Sequence, residues 1–156
     1  MCIEAFWKTF LDQSGLDEQT RYFDSFHFMN SEFWANELLR LVLMQQKKAT
    51  TSSLAALEIE NGRVPQDGDY SIVTDWEGIP RCVIRTTKVR IMPFKDMTFE
   101  ICSLEGEDEN LESWQKGHRA FFEAEGKKLG FSFSDDSPIV FEEFEVVFQT
   151  FPSGSR

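Results

Sequence analysis

The chain has 156 residues, 41% hydrophobic and 28% charged. That suffices for one domain with a real core built on 16 Phe and 4 Trp, and is too little for two. Sixteen basic against 27 acidic side chains give a net charge of −11, which opposes tight clamping of long RNA or DNA. No apolar run approaches the roughly 20 residues needed to cross a bilayer. The N-terminal residues lack the order of a signal peptide. Cys2, Cys82 and Cys102 are odd in number and far apart, which argues against a disulfide framework. A cytoplasmic protein without a membrane partner is expected.

The chain opens with a helical stripe. Ile3, Phe6, Trp7, Phe10 and Leu11 recur at helical spacing, and Gly15 supplies a stop. Residues 16–29 hold Tyr22, Phe23, Phe26, Phe28 and Met29 without a clean period and read as an ordered loop packed by its aromatics. A second helix is predicted from about Ser31 to Gln46, capped by Asn30 or Ser31. Phe33, Trp34, Leu38, Leu41 and Val42 form its expected buried face, widened by Leu39 and Leu43.

After Lys47-Lys48 the hydroxyl-rich run Thr50 to Ser53 fits a loop or the start of a strand. Asn61-Gly62 and Asp67-Gly68-Asp69 signal turns. Tyr70–Thr74 and Ile79–Met92 read as strands joined by a hairpin at Asp75-Trp76-Glu77-Gly78, and Pro93 ends the second. A short helix is predicted over Lys95–Leu104, then an acidic loop, Glu105–Glu109, around Gly106. A third helix carries Leu111, Trp114, His118, Phe121 and Phe122 on one face and stops near Gly126 or Gly130. Ile139–Gln149 reads as a last strand, and residues 150–156 as a frayed tail. Helices, strands, helices and a strand do not make the βα alternation of a doubly wound sheet. The fold class predicted is α+β, a curved antiparallel sheet or small barrel flanked by helices. Residues 1–25 form an N-terminal helical extension packed on a domain spanning 26–149.

Three stretches could carry chemistry. From Arg40 to Met97 there are nine basic and seven acidic residues, whereas Thr98 to Glu145 holds 13 acidic and four basic, so an anion-facing surface belongs to the middle third. Lys47 and Lys48 stand at a helix C-terminus, where they complement the dipole. A lysine desolvated beside Thr51 would also be able to activate its hydroxyl. Glu105, Glu107, Asp108 and Glu109 read as a solvated loop, although crowded carboxylates raise one another's proton affinity, as a general acid requires. On the strand around Cys82, Arg81 and Arg85 share one face and Lys88 and Arg90 the other, a small phosphate- or base-facing patch. His27 and His118 stand apart and no cysteine has a near partner, so neither metal nor cofactor is expected. His118, on an apolar helix face, reads as a satisfied core histidine, and Cys82 as a buried inert thiol.

The blocks LLRLVLMQQKKATTSSL, VPQDGDYSIVTDWEGIPRCVIRTTKVRIMPF, SLEGEDENLESWQKGHRAFF and PIVFEEFEVVF, in this order and spacing, resemble the ASCH domain, a PUA-like fold, in its longer bacterial form. The resemblance runs from about residue 26 to 148. The family motif G-x-K-x-x-T falls on Gln46, Lys48 and Thr51, with Gln46 in place of the glycine. Members that hydrolyse the acetyl amide of N4-acetylcytidine use a Lys, a Thr and a Glu, and the resemblance places these on Lys48, Thr51 and Glu107. An Arg of the small enzymes is Ser53 here.

The resemblance implies that Lys48, partly neutral through burial, takes a proton from Thr51, that Thr51 attacks the acyl carbonyl or positions a water, and that Glu107 protonates the leaving nitrogen. Which of Lys48 and Thr51 is nucleophile and which is base stays open. Lys47, Ser52, Ser53, Arg81 and Arg85 are the expected substrate contacts. The function implied is an amidohydrolase acting on a small acylated nucleoside. The alternatives are an RNA-binding or RNA-cleaving module and a non-catalytic ligand-binding domain. Net charge favours a neutral nucleoside over RNA and gives no ground for a DNA partner.

Overall fold

The first helix is set by its apolar stripe and its caps. In the computed structural model, which describes residues 1–150, α1 spans Ile3–Ser14 and ends on Gly15 in the left-handed conformation. The expected tail beyond Thr150 lies outside the described residues. A short strand, β1 (Asp24–Phe26), interrupts the stretch read as loop. Helix α2 covers Glu32–Leu43, capped by the Ser31 hydroxyl. It buries Ala35, Leu38, Leu39, Leu41 and Val42. Phe33 and Trp34 are exposed instead, 67% and 49%, because the sheet lies under the other side of the helix.

Strand β2 (Ala49–Ser53) follows, and Ser53 then caps a helix that the sequence reading did not contain, α3 (Leu54–Asn61). Strands β3 (Tyr70–Thr74) and β4 (Pro80–Pro93) form the expected hairpin. Its turn is held by the Asp75 carboxylate, which accepts from the Glu77 and Ile79 amides. The predicted helix over 95–104 is broken into a 3₁₀ turn at Phe94–Asp96, a single turn α4 (Phe99–Cys102) and a second 3₁₀ turn at Ser103–Glu105. Helix α5 (Leu111–Leu129) stops at left-handed Gly130, and β5 (Pro138–Gln149) closes the sheet.

The five strands form one sheet in the order β1-β3-β4-β5-β2, antiparallel except for the parallel β1–β3 pair. Register shifts at Val73/Thr74, Val83/Ile84 and Thr86/Lys88 add local twist, and the sheet curls into a half-barrel. This is the α+β class that the element order predicts.

Three apolar clusters fasten helices to the sheet. Helix α2 packs on Val73, Cys82, Ile84 and Phe144. Helix α1 packs on Ile72, Val83 and Phe148, joining the N-terminal extension to the opposite face of β3 and β4. Helix α5 sets Trp114 and Phe122 against Phe94, Phe141, Ile139 and Ala49. Cys82 is buried as expected, and burial pushes its thiol up to about 12. All three cysteines are free. Among the described residues no helix is long and apolar enough to cross a membrane.

Candidate functional site

The site starts where α2 stops. Gln45 takes a left-handed backbone, φ 61°, which is uncommon without a glycine. The amides of Gln46 and Lys47 then both donate to the Leu41 carbonyl, at 2.9 and 3.1 Å. This tight exit turns Lys47 inward and Lys48 outward. Lys48 is exposed. Its backbone is fixed, its N–H donating to Leu104 and its carbonyl accepting from Phe144.

Lys47 is only 2% exposed. Its ammonium donates to the Ala49 carbonyl (2.9 Å), to Glu105 Oε1 (3.2 Å) and to Glu107 Oε2. Three acceptors use all three of its protons.

Glu105 is the centre of the network. Its Oε2 accepts from the Thr51 hydroxyl (2.9 Å) and from the Trp114 indole (2.5 Å). Its Oε1 faces Lys47 and, at 3.5 Å, His118 Nε2. The imidazole stacks on Trp114, with centroids 4.2 Å apart, and its Nδ1 lies 2.9 Å from the Trp114 carbonyl. Trp114 and His118 reach the same carboxylate because they are four apart on α5.

Gly106 makes the loop possible. Its φ is 69°, and a Cβ there would run into the Gln46 carbonyl. The backbone passes close enough to β2 to deliver Glu107 to the other side of the Lys47 amine.

Burial opposes the Glu105 charge, but the Lys47 ammonium outweighs it. With His118 and Trp114 adding to that, the carboxyl is held well below its usual range. Burial also opposes the Lys47 charge, and the two carboxylates outweigh it, holding the amine above the ordinary lysine value. For Glu107, burial and the neighbouring Glu105 charge prevail over Lys47, so its carboxyl is raised. His118 is raised too, since Glu105 offsets the cost of burying its charge. The network therefore holds a charged lysine, a carboxyl at Glu105 that favours its anion, and two groups, Glu107 and His118, whose proton affinity is raised.

A cavity of about 250 Å³ opens beside the cluster, lined by Val42, Gln45, Lys47, Lys48, Phe144 and Val146 among others. A larger groove, about 670 Å³, lies elsewhere, between α2 and the β3–β4 turn. Arg81 lines that groove and not the cluster.

Several sequence expectations need correction. The buried lysine is Lys47, not Lys48, because the chain turns left-handed at Gln45, and Lys47 stands two residues beyond that turn. The carboxylate that Thr51 touches is Glu105, which the sequence reading left in a solvated loop. Glu107 joins through Lys47. Ser53 is buried and caps α3, at 3.5 Å from the Ala56 amide, so it faces no substrate. Ser52 falls with Thr50 on the face of β2 opposite Thr51. Arg85 lies 4.0 Å from Asp67 and 3.8 Å from Glu145. Glu105, Trp114 and His118 were missing from the expected site. The Trp114/His118 spacing, with a carboxylate nine residues before the Trp, was the available signal.

Among the described residues no group of three His, Cys, Asp or Glu side chains is placed to hold a metal ion.

The family model described as "ASCH domain" matches residues 24–148. Among solved structures, a protein from Enterococcus faecalis V583 is 36% identical, covering 93% of this chain and 87% of its own, with a TM-score of 0.83. The ASCH domain from Lactobacillus crispatus JV V101 is 31% identical, covering 90% and 93%, with a TM-score of 0.79. A search of curated proteins finds no match.

Proposed function

The chain belongs to the ASCH domain family, and we propose that it is an amidohydrolase that removes the acyl group from a small acylated nucleoside such as N4-acetylcytidine. The observation that carries this reading is the Thr51 hydroxyl donating to Glu105, whose other oxygen is bridged through Lys47 to Glu107. A nucleophile, a proton acceptor, a fixed cation and a second acid with raised proton affinity stand in one chain of contacts.

The chemistry balances with these groups. Thr51 Oγ attacks the acyl carbonyl carbon while its proton passes to Glu105 Oε2. Protonated Glu107 gives its proton to the amide nitrogen as the carbon–nitrogen bond breaks, releasing the amine and leaving an acyl ester on Thr51. Water then attacks the ester, its proton goes to Glu107, and the carboxylic acid leaves as Thr51 recovers its proton from Glu105. Lys47 stays charged throughout and stabilises both carboxylates, in place of the neutral lysine base that the motif suggested. β2 is an edge strand, and amides on its free side are available to an oxyanion.

Charge supports a neutral substrate over RNA. The net charge is −11. The basic strand is largely answered by carboxylates, with Arg90 beside Glu143 and Arg85 beside Asp67 and Glu145. A cytoplasmic setting suits such a substrate.

Purified protein incubated with N4-acetylcytidine, with products read by chromatography and mass spectrometry, tests the reading. Cytidine is expected from the native chain, with at least a hundredfold less from Thr51→Ala. No cytidine from the native chain at enzyme levels that would reveal slow turnover overturns it.

A further inference from the structure

His118 sits between two acceptors. Its Nδ1 lies 2.9 Å from the Trp114 carbonyl, and its Nε2 lies 3.5 Å from Glu105 Oε1. A carbonyl oxygen has no proton to give, so Nδ1 carries one. In the neutral ring Nε2 is then bare, and its lone pair faces a carboxylate oxygen. The contact is attractive only with a proton between the two atoms. The ring is held in this pose by stacking on Trp114, with Phe122 against it at 5.9 Å between centroids.

The charges around the ring favour that proton. Glu105 faces it from the second 3₁₀ turn, and Glu107 acts on it from the loop that follows. Lys47 is shared between these two carboxylates. Arg119, the next residue of α5, is held by Asp135. Burial opposes a charge on His118, and the carboxylates prevail. Glu105 keeps only 2% of its side chain exposed, against 16% for His118. The imidazole is therefore the partner in reach of water.

The extra proton bears on the base. In the reaction proposed above, Glu105 takes the proton of Thr51. With His118 charged, that step neutralises a carboxylate facing two cations, Lys47 and His118, and both attractions are lost. With His118 neutral, Lys47 alone opposes it, and the repulsion from the bare Nε2 is eased.

We propose that His118 acts on the reaction through Glu105, as a proton gate: Glu105 accepts the Thr51 proton once His118 has released its Nε2 proton to water. Resting on the amidohydrolase reading, the gate adds regulation to it. The site is closed in acid and opens as pH rises.

Side-chain NMR on the full chain tests the coupling without substrate. His27 is the other histidine, and His27→Gln removes its signals. Nδ1 should stay protonated throughout while Nε2 titrates, and the Glu105 carboxyl carbon should shift at the same midpoint. Glu105→Gln should lower that midpoint by at least about one pH unit. Should that variant fail to fold, the carboxyl shift of the native chain carries the same test. Titration at Nδ1, or a Glu105 carbon that does not follow the ring, overturns the proposal.

Turnover of N4-acetylcytidine tests the gate itself. Native kcat should rise with pH along a limb centred on the Nε2 midpoint. In His118→Gln, which keeps a donor but no titrating charge, the limb should lie at least about one pH unit lower. An unmoved limb, or turnover that falls through the midpoint, overturns the gate. No turnover at any pH overturns the amidohydrolase reading instead, and the linked shift of ring and carboxyl then decides the His118–Glu105 coupling on its own.

Discussion

The two faces of β2 handle buried carboxylates in opposite ways. On the Thr51 face, Glu105 is surrounded by donors and a committed cation. On the Thr50 face, Glu142 has one hydroxyl partner and no cation. The first carboxyl is driven below its ordinary range and the second above it. The same residue type, beside Thr51 from a 3₁₀ turn in one case and opposite Thr50 on β5 in the other, therefore stays ionised on one side and holds its proton near neutrality on the other. The difference lies in what the helices deliver: α5 brings Trp114 and His118 to Glu105, whereas α2 brings only apolar side chains to the other face.

The sharpest way to break this contrast is to remove the cation. Lys47→Met leaves Glu105 buried without its counter-charge and should cost about 3–5 kcal/mol in urea unfolding. Lys48→Met should stay within about 0.5 kcal/mol. Equal losses at both positions would show that the two lysines do not differ in burial.

The opposite carboxylate can be tested by pH. Glu142 has a raised value in the folded chain, about 7 against 4.5, so the folded state binds the extra proton between these values. Stability from this group is full below about pH 4.5, falls as pH rises towards 7, and stays lost above that. At about 1.4 kcal/mol per pH unit the loss is about 3 kcal/mol. Glu142→Gln should therefore gain stability over the native chain as pH rises from 4.5 to 8. Glu105 works in the reverse sense, its contribution present above the unfolded value and lost in acid. A native-to-variant difference that does not change with pH would refute the assignment for Glu142.

A smaller effect is expected where the acidic loop passes β2. Gly106→Ala adds a methyl against the Gln46 carbonyl at a left-handed position and should cost about 1–3 kcal/mol. The smallest concerns α2, where Phe33→Ser should change stability by less than about 0.5 kcal/mol, because its ring is already in water. Thermal unfolding of both variants checks these values.

Local patterns made much of the fold legible. The α1 stripe, the Gly15 stop, the β3–β4 turn and the α5 face all follow from spacing and turn chemistry. Helix α3 was hidden because Ser53 ends a strand and caps a helix at once, and only Ala56 of its residues is fully buried. Phe33 and Trp34 misled because hydrophobicity says nothing about which side of a helix meets the sheet. The site was half legible. The Lys-x-x-Thr spacing found the right turn of chain, but the choice between Lys47 and Lys48 depends on the backbone at Gln45. Glu105 sits in a run of acidic residues whose composition reads as solvated, and a partner 58 positions away reverses that reading.

Trp114 has no exposed surface, donates its indole proton to Glu105 and lies flat against His118. A protonated imidazole held against an indole drains its excited state, so the protein carries its own optical gauge. The emission of this tryptophan should dim as His118 takes up a proton. With Trp7, Trp34 and Trp76 replaced by Phe, so that Trp114 alone emits and the His27–Trp76 contact is removed, a fluorimeter and a set of buffers would then follow the charge state of the buried cluster with no label attached.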